Sequence, residues 1–116
     1  MLNETYNLNN NLIIKLNGNF DADTVNIMKD DIESYSKLST NIIIDLESVP
    51  FIDSSGIGAI VYLYKRMMAK GFSVGVSGLT QQPLELFKML FLDKTINCYQ
   101  DIDCYLETSP NLQVAS

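Results

Sequence analysis

Short alternating runs of apolar and polar residues open the chain and then give way to helical spacing. Thr5-Tyr6-Asn7-Leu8 and Leu12-Ile13-Ile14-Lys15-Leu16 read as two short strands. Asn9-Asn10-Asn11 between them is turn chemistry, because asparagine tolerates positive φ, so a hairpin is predicted. Asn17-Gly18-Asn19 ends the second strand. From Asp21 to Leu38, the positions Val25, Met28, Ile32, Tyr35 and Leu38 share one face at helical spacing. They predict a single helix capped by Asp21 or Asp23, with Asp30 and Asp31 on its solvated side. Asn41 to Leu46 is apolar without alternation, the pattern of a central strand buried on both faces of a mixed or parallel sheet.

A second helix is predicted from Ser55 to Lys70, with Ile57, Ile60, Val61, Tyr64, Met67 and Met68 inward. Lys65, Arg66 and Lys70 complement its C-terminal dipole, and Gly71 suits the position that ends it. Ala59, Tyr62 and Leu63 point away from that stripe, so either this helix is buried on several sides or part of it is a partner surface. Phe72 to Val76 alternates as a strand, and Ser77-Gly78-Leu79-Thr80 reads as a turn. A third helix follows from Gln81 to Phe91, with Pro83 in its first turn and Leu84, Phe87, Leu90 and Phe91 inward. Thr95 to Tyr99 reads as a short strand, Ile102 to Leu106 as a last helical turn or two, and Thr108 to Ser116 as a frayed polar tail. The order β-β-α-β-α-β-α-β-α predicts one α/β domain over residues 1–116, with its core at about 5–107. Its mixed sheet of four to five strands packs with about four helices. Ligands and partners of such folds meet the loops beyond the strand C-termini. Gly18 to Asp21, Ser54, and Ser77 to Thr80 are then expected on one edge.

Composition narrows the function. No apolar run approaches the ~20 residues of a membrane span, and no basic-then-apolar leader opens the chain, so a cytoplasmic location is expected. With no histidine, most nucleophilic triads, most zinc sites and the commonest general base are removed. The net charge is −6 and the eight lysines and arginines are scattered, so no basic stripe exists for nucleic acid. Cys98 and Cys104 lack metal-ligand spacing and read as reduced thiols. No metal or cofactor is expected.

The chemistry gathers in Pro50-Phe51-Ile52-Asp53-Ser54-Ser55-Gly56-Ile57-Gly58, between the central strand and the second helix. Two hydroxyls and a carboxylate stand at a helix start, where unpaired N–H groups and the dipole favour negative charge. Ser54 is therefore a candidate phosphate acceptor. The alternative is that Asp53 or Ser54 serves only as N-cap. Ser55 is a minor acceptor or a cap. Gly56 and Gly58 either leave the helix start open to an approaching enzyme or permit close helix–sheet packing.

The words Ile43-Ile44-Asp45-Leu46, Val49 to Gly58 and Lys70-Gly71-Phe72 resemble the STAS domain, more narrowly the bacterial anti-sigma factor antagonists. The resemblance spans about residues 5 to 107. It implies that Ser54 is phosphorylated by a serine kinase of the anti-sigma factor type and dephosphorylated by a metal-dependent serine phosphatase. It implies too that the unphosphorylated domain binds the kinase and frees its client. Gly18-Asn19-Phe20-Asp21 is similar to the family's Gly-x-Leu-Asp, with Phe20 for leucine, which makes Asp21 an expected partner contact. Ser77, Gly78 and Leu79 are a further expected contact. A phosphate adds roughly −1.5 to −2 charges, and Asp53 beside it sharpens repulsion of an acidic partner patch.

Three rivals are weaker. A response-regulator receiver would use Asp45, but Asp30 and Asp31 lie in mid-helix and Lys94 precedes the last strand. A serine hydrolase would use Ser54, but the word is not Gly-x-Ser-x-Gly and no histidine exists as base. The third keeps the fold: a STAS scaffold or small-ligand sensor in a signalling complex that does not act on a sigma factor, for example in control of surface attachment.

Overall fold

A hairpin begins the fold because two adjacent asparagines accept left-handed backbone. In the computed structural model, which describes residues 3–103, Asn9 (φ 52°) and Asn10 (φ 66°) connect β1 (Asn3–Leu8) to β2 (Asn11–Asn17). Both central residues at positive φ make the turn whose twist matches antiparallel strands. The order then runs α1 (Ala22–Ile27), α2 (Lys29–Ser36), β3 (Asn41–Ser48), α3 (Ser54–Ala69), β4 (Val74–Ser77), α4 (Gln81–Met89), a 3-10 turn (Leu92–Lys94) and β5 (Cys98–Tyr99). The sheet order is β1-β2-β3-β4-β5, antiparallel only between β1 and β2. The expected α/β architecture with a mixed five-stranded sheet is what forms.

Strand residues divide between the two sheet faces by their alternation. Leu12, Ile14, Leu16, Ile42, Ile44, Leu46, Val74 and Val76 pack with Met28, Ile32, Ile57, Ile60, Leu63, Met67 and Phe87 into the main core beneath the helices. Ile13 and Ile43 point the other way and pack with Leu8, Tyr99 and Ile102. Residues 42–46 are all buried, as the unbroken apolar run required. The three parallel connections between neighbouring strands bring the loops after β2, β3 and β4 to one edge. There Gly18 N–H donates to Ser48 O at 3.0 Å, and Phe20 bridges Ile52.

Several expected boundaries move. The first helix is broken at Met28 (φ −89°, ψ 7°), which is buried at the joint of α1 and α2, and Leu38 lies exposed beyond the end. On α3, Ala59 and Leu63 join the core while Met68 is exposed, so the buried stripe is rotated from the expected one. Helix α4 ends at Met89, and of its expected face only Phe87 is fully buried. Leu90 and Phe91 are exposed, with Phe91 in the left-handed region at φ 57°. Strand β4 is Val74–Ser77 rather than 72–76, and β5 is shortened to Cys98–Tyr99. Cys98 is free and donates to Ile96 O at 3.3 Å. Burial, with Asp93 adding to it, pushes its thiol up to about 11. The readings for Cys104, for a helix reaching Leu106 and for a tail from Thr108 lie outside the described residues.

Lys70 has a structural task. Its ammonium donates to Ser36 O at 2.8 Å and Leu38 O at 2.5 Å, tying the end of α3 to the carbonyls at the end of α2. A Lys70→Met variant is expected to lose about 1 kcal/mol of stability. The change reads as a lower urea midpoint at unchanged m value; an unchanged midpoint would show that the tie contributes nothing.

Candidate functional site

The backbone enters α3 through an extended Asp53 (φ −110°, ψ −172°), the conformation an N-cap requires. One oxygen of Asp53, Oδ1, accepts from Ser55 N–H at 2.9 Å and Gly56 N–H at 3.1 Å. Its Oδ2 accepts from Ala22 N–H at 3.1 Å, at the start of α1. One carboxylate thus ties together the first turns of two helices distant in sequence. Of the two capping readings, Asp53 is the cap. Ser54 is the first residue of α3 and is exposed, and Ser55 is half-buried.

This geometry corrects one expectation. The N–H groups of Ser55 and Gly56 do not wait unpaired for an anion, because Asp53 occupies them. A phosphate on Ser54 would find a carboxylate beside it instead.

The two glycines separate. A Cβ on Gly56 would stand 2.2 Å from Phe20 O and 2.7 Å from Ile52 Cγ1, so this position exists for close packing of α3 on the loop after β2. A Cβ on Gly58 would meet nothing within 4 Å. Ser54, Gly58 and Tyr62 follow one another at intervals of one helical turn on an outer face of α3. Beside that face runs a groove of about 330 Å³, lined by Val25, Lys29, Glu33, Ala59 and Tyr62 among others. Tyr62 donates its hydroxyl to both Glu33 oxygens, at 2.8 and 2.9 Å, and Arg66 sits over its ring at 5.6 Å. The Tyr62 hydrogen bond, with that from Ser36, holds the Glu33 carboxyl below its usual range. So Tyr62, one of the residues left open between core and surface, is a surface residue.

Asp21 is placed near Asp53 through α1: it is the N-cap of that helix, accepting from Thr24 N–H at 3.1 Å, and is half-buried. The turn after β4 departs from expectation. Ser77 is the last residue of β4, opposite Asp45, and is fully buried, with no partner for its hydroxyl among the described residues. Gly78 (φ 76°) is buried too, and a Cβ there would stand 2.7 Å from Glu47 N. Neither side chain position is open to a partner, because the sheet continues through Ser77 and Glu47 closes over Gly78. Of the expected trio, Leu79 alone is partly exposed.

Gln82 was not singled out by sequence, yet it touches the site. Ile52 N–H donates to Gln82 Oε1 at 2.9 Å, and Gln82 Nε2 donates to Ile52 O at 2.9 Å. A polar residue in the first turn of a helix carries no signal for such a contact. Among the described residues no cluster of histidine, cysteine or carboxylate groups fits a metal, and no helix is long and apolar enough to cross a membrane.

Known proteins give the geometry a context. The family model of the STAS domain matches residues 3–104. An anti-sigma factor antagonist from Mycobacterium paratuberculosis superposes with a TM-score of 0.82 at 22% identity, covering 90% of each chain. The Bacillus cell fate determinant SpoIIAA in its phosphorylated form superposes with a TM-score of 0.68 at 16% identity, over 90% of this chain and 97% of that one. A sulfate transporter family protein from Wolinella succinogenes gives a TM-score of 0.72 at 19% identity, over 90% and 87%. These superpositions show a shared fold.

Proposed function

Because the chain belongs to the STAS domain family, we propose that it works as an anti-sigma factor antagonist switched by phosphorylation of Ser54. The unphosphorylated form binds a serine kinase of the anti-sigma factor type and releases that partner's client. Phosphate on Ser54 ends the binding, and a metal-dependent serine phosphatase restores it. The protein is a substrate of enzymes rather than an enzyme, and it acts in the cytoplasm without nucleic acid or membrane.

One observation carries this reading: an exposed Ser54 at the first position of α3, beside a cap that Asp53 already fills. A new phosphate has no free donors at Ser55 or Gly56 to fold back on, so it stays at the surface. A docked partner then meets roughly −1.5 to −2 added charges next to Asp53. Lost contact and uncompensated charge at an interface cost several kcal/mol, on the order of a hundredfold in affinity. The domain itself keeps its fold, since the cap is untouched. Asp21, Leu79, Gly58 and the groove beside Tyr62 complete the proposed contact surface.

The test is a pull-down from lysate of the native host with Ser54→Ala and Ser54→Asp as baits. The alanine form is expected to retain a serine kinase of the anti-sigma type, and the aspartate form at least tenfold less of it. Circular dichroism of Ser54→Asp is expected to match the wild type. Equal capture by both baits, or none, would move the scaffold or ligand-sensing reading ahead.

A further inference from the structure

A primary amide side chain carries an acceptor oxygen and a donor NH₂ group side by side, the kind of pair that a neighbouring strand's backbone offers. Gln82 spends both on one residue, Ile52. On the opposite side of the same segment, Phe20 N–H donates to Phe51 O at 2.9 Å and Asp53 N–H donates to Phe20 O at 3.4 Å. Ile52 therefore forms an isolated parallel bridge with Phe20 on one side and has its backbone held on the other side as well. One edge is held by the backbone after β2, and the other by a single side chain reaching from α4.

The residues around Gln82 fit that use. Gln81 just before it adopts φ 50°, an uncommon conformation for a residue with a side chain, and Thr80 caps α4 without a side-chain hydrogen bond. The first turn of α4 thus directs its polar side chain to the Ile52 backbone rather than to its own N–H groups. Ile52 is fully buried with Gln82 in place, so its N–H and C=O lose their protein partner on that side if the amide leaves.

We infer that Gln82 is a positioning residue for Ser54: its amide fixes the backbone of Ile52, and so the point at which Asp53 caps α3 and Ser54 faces an incoming kinase. This rests on the reading of Ser54 as phosphate acceptor. A hydroxyl shifted by about 1 Å from its productive position reacts on the order of a hundredfold more slowly, while the docking surface around it is unchanged. Gln82 acts through Ile52 and touches no substrate.

The full chain is compared as wild type, Gln82→Ala, Gln82→Glu and, as a destabilised control far from Ser54, Lys70→Met. Two readouts are taken. Amide hydrogen exchange is followed residue by residue. Phosphorylation of Ser54 is followed in native-host lysate supplied with magnesium ATP, by peptide mass spectrometry at varied protein concentration. In Gln82→Ala the Ile52 amide is expected to exchange at least tenfold faster with β2 and β3 amides unchanged. Its maximal phosphorylation rate is expected to fall about tenfold at an unchanged half-saturating concentration. Lys70→Met is expected to leave the Ser54 rate unchanged and to speed Ile52 exchange no more than that of the β2 and β3 amides. Gln82→Glu keeps the acceptor for Ile52 N–H but, once ionised, has no proton for Ile52 O. Its exchange rate relative to wild type is expected to recover as pH falls below about 4.3, where the carboxyl regains a proton. An Ile52 amide that does not respond in either variant overturns the inference. So does an unchanged rate at Ser54 when the wild type is phosphorylated. A wild type that takes no phosphate on Ser54 while Ile52 still responds overturns the phosphate-acceptor reading itself, and the positioning role with it.

Discussion

A Gly56→Ala variant is expected to be the most damaging single methyl group in this domain, costing about 3 kcal/mol. The added carbon would stand 2.2 Å from Phe20 O, 2.7 Å from Ile52 Cγ1 and 3.0 Å from Phe20 Cδ2. None of these neighbours yields easily. The carbonyl belongs to a backbone already bonded to Asp53 N–H, while Phe20 and Ile52 are both buried. Alanine's better helix propensity returns up to about 1 kcal/mol, which the clash exceeds. For a domain whose net stability is about 5–15 kcal/mol, that loss is plain in a urea midpoint. Gly58→Ala is the matched comparison. It adds the same carbon into open space within the same helix, and should raise stability by about 0.5–1 kcal/mol. If the two variants moved the midpoint alike, the close approach of α3 to the loop after β2 would be wrong.

The second large effect lies at Asp53. Asp53→Ala removes three hydrogen bonds at once, two within α3 and one to α1. Loss of a cap costs about 0.5–2 kcal/mol, and the bond to Ala22 adds about 1 kcal/mol. A total near 2–3 kcal/mol is expected. Asp53→Asn separates the two parts. Its single carbonyl oxygen can still accept from Ser55 and Gly56, but its NH₂ group then faces Ala22 N–H, donor against donor. Only the tie to α1 is lost, so about 1 kcal/mol is expected, with faster amide exchange at Ala22 and none at Gly56. An asparagine variant as unstable as the alanine one would contradict the division of work between the two oxygens.

How far this arrangement is legible in sequence depends on the range of the interactions. The Asn9-Asn10 turn, the buried run of β3 and the long helix α3 are set by neighbouring residues, through backbone preference and periodicity. So is the position of Ser54 at a strand–helix junction, since a cap residue announces itself beside an apolar period. The break at Met28 left no mark, because the three-four spacing runs on through it while only packing decides that two short helices fit better than one. Leu90 and Phe91 misled for the opposite reason. They continue the apolar period of α4, yet the chain turns left-handed at Phe91 and leaves both in solvent. Ser77 reads as turn chemistry beside Gly78, but the parallel pairing with Asp45 carries the strand one residue further and buries it.

By itself, then, the sequence determined the order of the strands, the α/β class and the place of Ser54 at a strand–helix junction, because each follows from contacts between residues a few positions apart. The tertiary structure alone decided what surrounds that serine. Asp53 reaches Ala22 across 31 positions, and Gln82 reaches Ile52 across 30. Such bonds follow no period along the chain. They exist because parallel crossovers deliver three loops to one sheet edge, where backbone groups pair with whichever side chains the fold has brought there.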